Sequence, residues 1–187
     1  LIGEGFVEFG GKVVSSDFDL NQIRKKKAIL GPKDGLALIN GTAVMASLGA
    51  LAVVEGKKLM GVADISALMT LEGVQGTAVA YDPRITNLKP HPGMIASVTN
   101  LNKMIQGSEI LDSHVDCERV QDAYSLRCVP QVHGAIRQTL NHCEEILSLE
   151  LNAVTDNPLV FPEDKEVISG GNFHGQSVAF AMDYLCM

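Results

Sequence analysis

One long apolar segment dominates the first half of the sequence. Between positions 42 and about 80 the chain is rich in Ala, Leu, Met and Val, and larger apolar residues recur at helical intervals of three and four. These residues are Val44, Leu48, Leu51, Leu59, Val62, Ile65 and Met69. Small residues between them permit close helix–helix contact. A helix that is apolar around most of its circumference must be buried in a large bundle or a subunit interface, since 187 residues alone would hardly cover it.

The remaining periodicity predicts a mainly α protein with two small β-hairpins. A double glycine separates two strand-like runs at 6–9 and 12–14, and a second hairpin is predicted near residues 159–168. Asp82 and Pro83 are expected to end the long helical segment, because proline restricts the residue before it. Further helices are predicted over 94–106, over 136–151 and after a glycine-rich loop at 169–175. We see no linker, so residues 1–187 are predicted to form a single domain.

Charge and composition limit the possible partners. The net charge is −7 and aromatic residues make up 5% with no Trp, which argues against nucleic acid. The longest apolar run, 43–54, is interrupted by Ser47 and Gly49, so no membrane span is predicted. The basic run 24–27 is interpreted as a solvated face or turn, with a specific anion site as the alternative.

The cysteines indicate the compartment and argue against a metal site. The four are widely spaced without a C-x-x-C pair, at Cys117, Cys128, Cys143 and Cys186. This pattern is typical of reduced thiols in the cytoplasm, and not of a disulfide framework or a zinc site. His114 lies near Asp112 and Asp116, but nothing else completes a ligand set, so no metal is predicted.

Two polar segments carry residue types that suit ligand binding. Asn40 stands between an apolar run and Gly-Thr, which is compatible either with a helix start capped by Thr42 or with a ligand contact. Gln121, Tyr124 and Arg127 recur every three residues and can share one edge of a helix or tight turn. An amide, a phenol and a guanidinium suit a small carboxylate or zwitterionic ligand. An interhelical polar network is the alternative.

A third polar segment combines a turn at 155–158 with a glycine-rich loop at 169–175. The turn contains Asn157, and the loop contains Phe173 and His174. Glycines on both sides of the loop allow backbone to approach a ligand closely. By composition alone this is weak evidence, because many loops are similar.

Taken together, these segments resemble one enzyme family. The segments are GLALINGT (35–42), GSEILDSHVDCERVQDAYSLRCVPQVHGA (107–135), NAVTDNPLVF (152–161) and SGGNFHGQ (169–176). They resemble the aromatic amino-acid ammonia-lyases, and QDAYSLRC is more similar to the histidine ammonia-lyases than to the plant phenylalanine enzymes. The resemblance implies a long-helix bundle of the ammonia-lyase/fumarase-like type. It also implies a homotetramer whose sites each draw on several subunits.

The family uses an electrophilic methylidene-imidazolone (MIO) formed from an internal Ala-Ser-Gly, a tripeptide that this sequence does not contain. By resemblance, that tripeptide lies upstream of Leu1, as does the tyrosine base, and a glutamate of the site lies beyond Met187. The sequence opens on Leu-Ile-Gly without an initiator Met, and its last residues, 180–187, are predicted to lie inside an apolar helix. The chain is therefore expected to be a central fragment that is inactive in isolation.

The resemblance also implies residue roles. Arg127 holds the substrate carboxylate, and Asn40 contacts the substrate or the MIO. Gln121 and Tyr124 position the electrophile and the reacting amine, and Phe173 packs beside the MIO or the imidazole ring. Two further residues support this set from behind, namely Asn157 and His174.

The activity implied is elimination of ammonia from L-histidine to give trans-urocanate. A tyrosine or phenylalanine ammonia-lyase and an aminomutase are alternatives within the family. A non-catalytic scaffold or regulatory homologue is the alternative from another class.

Overall fold

The computed structural model describes residues 2–17 and 26–187. The chain divides into two compact units, and the prediction of a single domain remains a prediction. The first unit comprises Leu1–Gly41 and Thr155–His174, and the second comprises Thr42–Val154 and Gly175–Met187. The first half of the basic run 24–27 lies outside the described residues. In its second half, Lys27 pairs with Asp17 at 2.7 Å on the surface.

Among its described residues, the first unit has two antiparallel hairpins and the short helix α1 (Asp34–Ile39). Strands β1 (Phe6–Phe9) and β2 (Lys12–Ser15) pair with Phe6 opposite Ser15, and strands β3 (Leu159–Phe161) and β4 (Glu166–Ile168) pair with Leu159 opposite Ile168. Both hairpins were predicted from the sequence, and both are confirmed. Helix α1 was not predicted, and it ends where Asn40 becomes extended.

The second unit is almost entirely helical, which confirms the mainly α class. Its longest elements are α2 (Ala43–Gly73) and α7 (Val129–Glu150). The others are a 3-10 helix (Ala78–Tyr81), α3 (Pro83–Leu88), α4 (Pro92–Met104), α5 (Glu109–Asp112), α6 (Tyr124–Arg127) and α8 (Gln176–Leu185).

Two predicted helix boundaries differ from the structure, and in both places a proline lies in the first turn of a helix. The long helical segment ends at Gly73, and Asp82 begins the next helix by accepting a hydrogen bond from the Arg84 amide, with Pro83 as its first residue. Helix α7 begins at Val129, seven residues before the predicted start, because Pro130 occupies its first turn. Proline is tolerated there, since that amide needs no partner within the helix.

Two apolar clusters hold the second unit together. The first joins α2, α7 and α8 through Ala46, Val53, Cys143, Leu147, Val178 and Ala181. The second joins α2, the 3-10 helix, α4 and α7 through Leu68, Leu71, Tyr81, Leu101 and Val129. Where α4 crosses α7, Gly93 faces Gly134, and a Cβ on Gly134 would lie 2.5 Å from the Met94 Cα. The two helix backbones are therefore in direct contact.

A charged cluster is buried between α2, α4 and α7. The Asp64 carboxylate is fully buried and accepts hydrogen bonds from Asn100 Nδ2 (2.6 Å) and Arg137 Nη2. His133 Nδ1 lies 2.7 Å from the other carboxylate oxygen. Arg137 Nε also donates to Ser97 Oγ (3.0 Å). The carboxylate is thus compensated by three side chains, as a buried charge requires.

One face of α2 is exposed among the residues that the structure describes. The seven periodic apolar residues named above have exposed fractions between 51% and 75%. The segment Asp34–Gly73, which contains α1 and α2, is long and apolar enough to cross a membrane by length and composition alone, contrary to the sequence-based expectation. The buried Asp64 cluster and the two apolar clusters identify α2 instead as a core helix.

Candidate active site

The predicted site residues fall into two sets, one in each unit. Asn40 lies in the first unit, together with Asn157, Phe173 and His174. The second unit contains Gln121, Tyr124 and Arg127. Each set is described within its own unit.

The Asn40 amide is held by a carboxylate from a distant part of the sequence. Asn40 Nδ2 donates to Asp156 Oδ1 at 3.0 Å, and the other oxygen of Asp156 pairs with Lys33 Nζ. Hydrogen bonds from Lys33 and then from Asn40 lower the pKa of Asp156 from 3.8 to about 2. Asp156 is therefore ionised at neutral pH.

The backbone around Asn40 is fixed by a close approach between two chain segments. Gly41 has φ +84°, a conformation that glycine adopts without strain. A Cβ at Gly41 would overlap the Thr155 carbonyl oxygen. Next to that contact, Asn157 Oδ1 accepts a hydrogen bond from the Gly170 amide (2.8 Å), which ties the turn to the glycine-rich loop.

Phe173 and His174 lie at the end of the glycine-rich loop. The Phe173 ring is 43% exposed, so it is available for packing against a ligand. The His174 amide donates to the Gly171 carbonyl at 2.9 Å and closes a turn.

The interpretation of Thr42 as a helix cap needs correction. Thr42 directly precedes α2, but its hydroxyl donates to Glu150 Oε1 at 2.5 Å and does not cap the helix.

In the second unit, the short helix α6 carries two predicted site residues and follows the third. Arg127 Nε donates to the Asp122 carbonyl at 2.9 Å, while its two terminal NH2 groups make no hydrogen bond within the described residues. That edge of the guanidinium presents two parallel N–H donors, so it can bind both oxygens of a carboxylate. Tyr124 is 74% exposed and Gln121 is exposed, and neither side chain has a hydrogen-bond partner within the described residues. A free phenol, amide and guanidinium edge fit a small carboxylate substrate and a carbonyl-bearing electrophile such as the MIO.

Tyr81 holds the carbonyl end of α6. Its hydroxyl donates to the Leu126 carbonyl oxygen at 2.9 Å, and its side chain is fully buried in the second apolar cluster. Burial raises the pKa of Tyr81 to about 12, with smaller contributions from the negative charges of Asp122 and Asp64. On the other side of α6, Asp122 Oδ2 accepts from the Thr77 amide at 2.6 Å. The α6 backbone is thus anchored to the 3-10 helix and to the residues before it.

A cavity of about 300 Å³ lies beside the loop that leads to α6. It is bordered by Gly76, Thr77, Ile105, Leu111 and His114, among others. His114 Nε2 is buried without a hydrogen-bond partner in the described part of the chain. Among the described residues, no group of three His, Cys, Asp or Glu side chains is arranged to hold a metal ion.

Sequence reasoning missed the residues that support the predicted site. Lys33 and Asp156 hold Asn40, and Tyr81 holds α6, yet none was singled out. Asp156 lies within the predicted turn 155–158, but no local pattern indicates its contact with Asn40. No local sequence pattern indicates the role of Lys33, because its partner Asp156 is 123 residues away in the sequence.

A family profile described as aromatic amino acid lyase matches residues 1–187. The chain belongs to this family. Among the family's curated members, the histidine ammonia-lyase of Caldanaerobacter subterraneus subsp. tengcongensis is 48% identical over 185 residues, which are 99% of this chain and 36% of that protein. The histidine ammonia-lyase of Koribacter versatilis is 46% identical over 199 residues, covering all of this chain and 39% of that protein.

Solved structures of the family have the same fold. Histidine ammonia-lyase from Trypanosoma cruzi superimposes with a TM-score of 0.84 at 38% identity, covering 98% of this chain and 34% of that one. Family membership and the long-helix fold predicted from the sequence motifs are therefore confirmed. The chain spans little more than a third of the length of the curated relatives it matches.

Proposed function

We propose that this chain is part of a histidine ammonia-lyase that converts L-histidine to trans-urocanate and ammonia. The observation that carries the proposal is the similarity along the whole chain to relatives named histidine ammonia-lyase, at 43–48% identity over 99–100% of its residues. Solved structures of tyrosine aminomutases are 36–37% identical to it, which favours histidine as the proposed substrate.

The reaction is difficult for two reasons. The β-proton of histidine is barely acidic, and an amine is a poor leaving group. The MIO, which the family forms from an Ala-Ser-Gly absent from this chain, supplies an electrophile that improves the leaving group. The residues of this chain bind and orient the substrate, so that binding energy offsets part of the entropic cost of reaching the transition state.

Arg127 binds the substrate carboxylate in this proposal. Its Nε is already engaged by the Asp122 carbonyl, which fixes the plane of the guanidinium. The remaining edge then presents two parallel N–H donors to the two carboxylate oxygens. This contact fixes one end of the substrate and hence the direction of its amino group and β-carbon.

The other residues complete the set. Gln121 and Tyr124 hold the electrophile and the reacting amine through hydrogen bonds that strengthen as charge develops. Asn40 contacts the substrate or the electrophile, and Phe173 packs against the aromatic ring. Asn157 and His174 support this set by fixing the glycine-rich loop, which agrees with the hydrogen bond from the Gly170 amide to Asn157.

The proposed assembly is a homotetramer in which α2 helices from different subunits pack together. The exposed apolar face of α2 supports this arrangement, because a soluble protein rarely leaves such a face in water. The proposed compartment is the cytoplasm, consistent with four cysteines that are all free thiols.

The test uses the full-length protein from which this chain derives. Purified protein is incubated separately with L-histidine, L-tyrosine and L-phenylalanine, and products are identified by chromatography. We expect urocanate, with the highest kcat/KM for histidine. Cinnamate or coumarate as the main product would establish a different lyase, and a β-amino acid would establish an aminomutase.

A peptide mass map of the same protein addresses the scaffold alternative. We expect an Ala-Ser-Gly peptide that is lighter by two waters. Its absence, together with no turnover of any of the three amino acids, would overturn the enzyme proposal. The isolated chain Leu1–Met187 is expected to show no turnover and to associate through its exposed helix faces, and turnover by this chain alone would contradict that prediction.

A further inference from the structure

Asp156 lies between a cation and a candidate site residue in the first unit. Its side chain is only 14% exposed, and its two oxygens are divided between two partners, Lys33 Nζ on Oδ2 and Asn40 Nδ2 on Oδ1. Lys33 is itself 70% removed from solvent, at 30% exposure, so this is a partly buried pair and not a surface contact. Charge-assisted hydrogen bonds of this kind restrict the orientation of the side chains that make them.

The contact determines which way the Asn40 amide points. An ionised carboxylate can only accept hydrogen bonds, so the amide nitrogen of Asn40 must face Asp156 and the amide oxygen must face away. The close approach of Gly41 to Thr155 fixes the backbone at the residues adjacent to both partners. Without the carboxylate, the amide could rotate by half a turn and exchange its donor for its acceptor.

Lys33 keeps Asp156 in the state that this orientation requires. A carboxylate with little access to water needs a compensating charge to stay ionised. The lowered pKa of Asp156 agrees with this, since hydrogen bonding from Lys33 is its largest cause. Lys33 has φ +73°, an uncommon conformation for a residue other than glycine, and it precedes the first turn of α1. Helix α1 thus lies between Lys33 and Asn40, and both of these residues are bound to the Asp156 carboxylate.

We propose that Lys33 and Asp156 are positioning residues that act through Asn40, by fixing the orientation in which its amide meets the substrate. This inference rests on the proposed function, because it assumes that Asn40 contacts the substrate or the electrophile. Neither residue touches the reacting atoms in this proposal. Their effect on the reaction is therefore lost when Asn40 is absent.

A double-mutant cycle in the full-length enzyme tests this dependence. Asp156→Asn preserves the side-chain shape but allows either amide orientation. In the Asn40 background, we expect it to lower kcat/KM about tenfold or more, and in the Asn40→Ala background by less than about twofold, because coupled residues are not additive. Equal losses in the two backgrounds would overturn the proposal, since a general structural effect does not depend on Asn40.

Binding provides a readout that does not depend on turnover. The probe is 3-(imidazol-4-yl)propionate, a histidine analogue that lacks the amino group, measured by calorimetry. We expect Asp156→Asn to weaken its binding in the Asn40 background more than in the Asn40→Ala background, and an equal effect in both would count against the proposal. If Asp156→Asn does not assemble, Lys33→Gln replaces it in both measurements with the same expected pattern.

The matched control is another ion pair of the same unit. Asp17 pairs with Lys27 at 2.7 Å with both side chains about half exposed, and neither contacts Asn40. Asp17→Asn should leave kcat/KM unchanged. If the wild-type enzyme converts tyrosine or phenylalanine instead, the cycle is measured with that amino acid, so failure of the histidine proposal is distinguished from failure of this inference.

Discussion

Replacing Asp64 by Asn tests whether the buried charged cluster stabilises the fold. Removing one partner from a buried ion pair typically costs about 3–5 kcal/mol, because the other charge stays behind uncompensated. Arg137 keeps 23% of its side-chain exposure, which lets water compensate part of that charge. Asn also retains one carbonyl oxygen that can still accept hydrogen bonds from the neighbouring donors. We therefore expect the lower end of the range, about 3 kcal/mol of unfolding free energy.

The same two helices provide a matched control. Lys57 on α2 pairs with Glu144 on α7, but these side chains are 39% and 49% exposed. An exposed pair contributes at most about 1 kcal/mol, so Glu144→Gln should destabilise the protein far less than Asp64→Asn. The assay is urea unfolding of the full-length protein at one fixed protein concentration, because assembly contributes to its stability. Similar losses for the two variants, or a loss below about 1 kcal/mol for Asp64→Asn, would refute the argument from burial.

Three further predictions concern residues around α6 and the helix crossing. Tyr81→Phe should cost about 1 kcal/mol by removing the hydrogen bond to the Leu126 carbonyl. Folding raises the pKa of Tyr81 from its ordinary value of 10.0 to about 12, so the stability linked to its protonated hydroxyl is complete below pH 10 and is lost as the pH rises to 12. The variant should therefore lose less stability than the wild type over that interval, as measured by denaturant midpoints. Gly134→Ala should cost about 2 kcal/mol or more, because the new methyl group meets α4 backbone, and an unchanged melting temperature would contradict this. Arg127→Lys should lower kcat/KM for histidine about ten- to hundredfold by removing the planar fork, and near-normal kinetics would exclude Arg127 from carboxylate binding.

Local sequence patterns predicted the elements of the fold better than their boundaries. Periodicity is a local property, so it located α2 and α7 and both hairpins. The start of α7 was misplaced because Pro130 has two opposite meanings, a helix breaker in the interior and a tolerated residue in the first turn. Helix α1 has no buried residue, and so it leaves no apolar periodicity to detect.

The supporting contacts of the candidate site could not be predicted in the same way. Asn40 and Asp156 are 116 residues apart, and no local pattern links them. Asp64 is one of three acidic residues in α2, and nothing local distinguishes it because its partners lie on α4 and α7. The polar site residues could be named from the sequence because the motifs that contain them resemble those of a known family. Their orientation depends on tertiary contacts, which only the structure provides.

The backbone contact between Gly93 and Gly134 has a consequence for changing substrate preference. Helix α7 begins two residues after Arg127, so the position of α6 follows from where α7 lies against α4. Glycine at both positions leaves no side chain whose exchange could alter that spacing. Variants selected for a new aromatic substrate are therefore expected to accumulate changes in the flanking loops, while the distance between these two helices stays constant throughout the lineage.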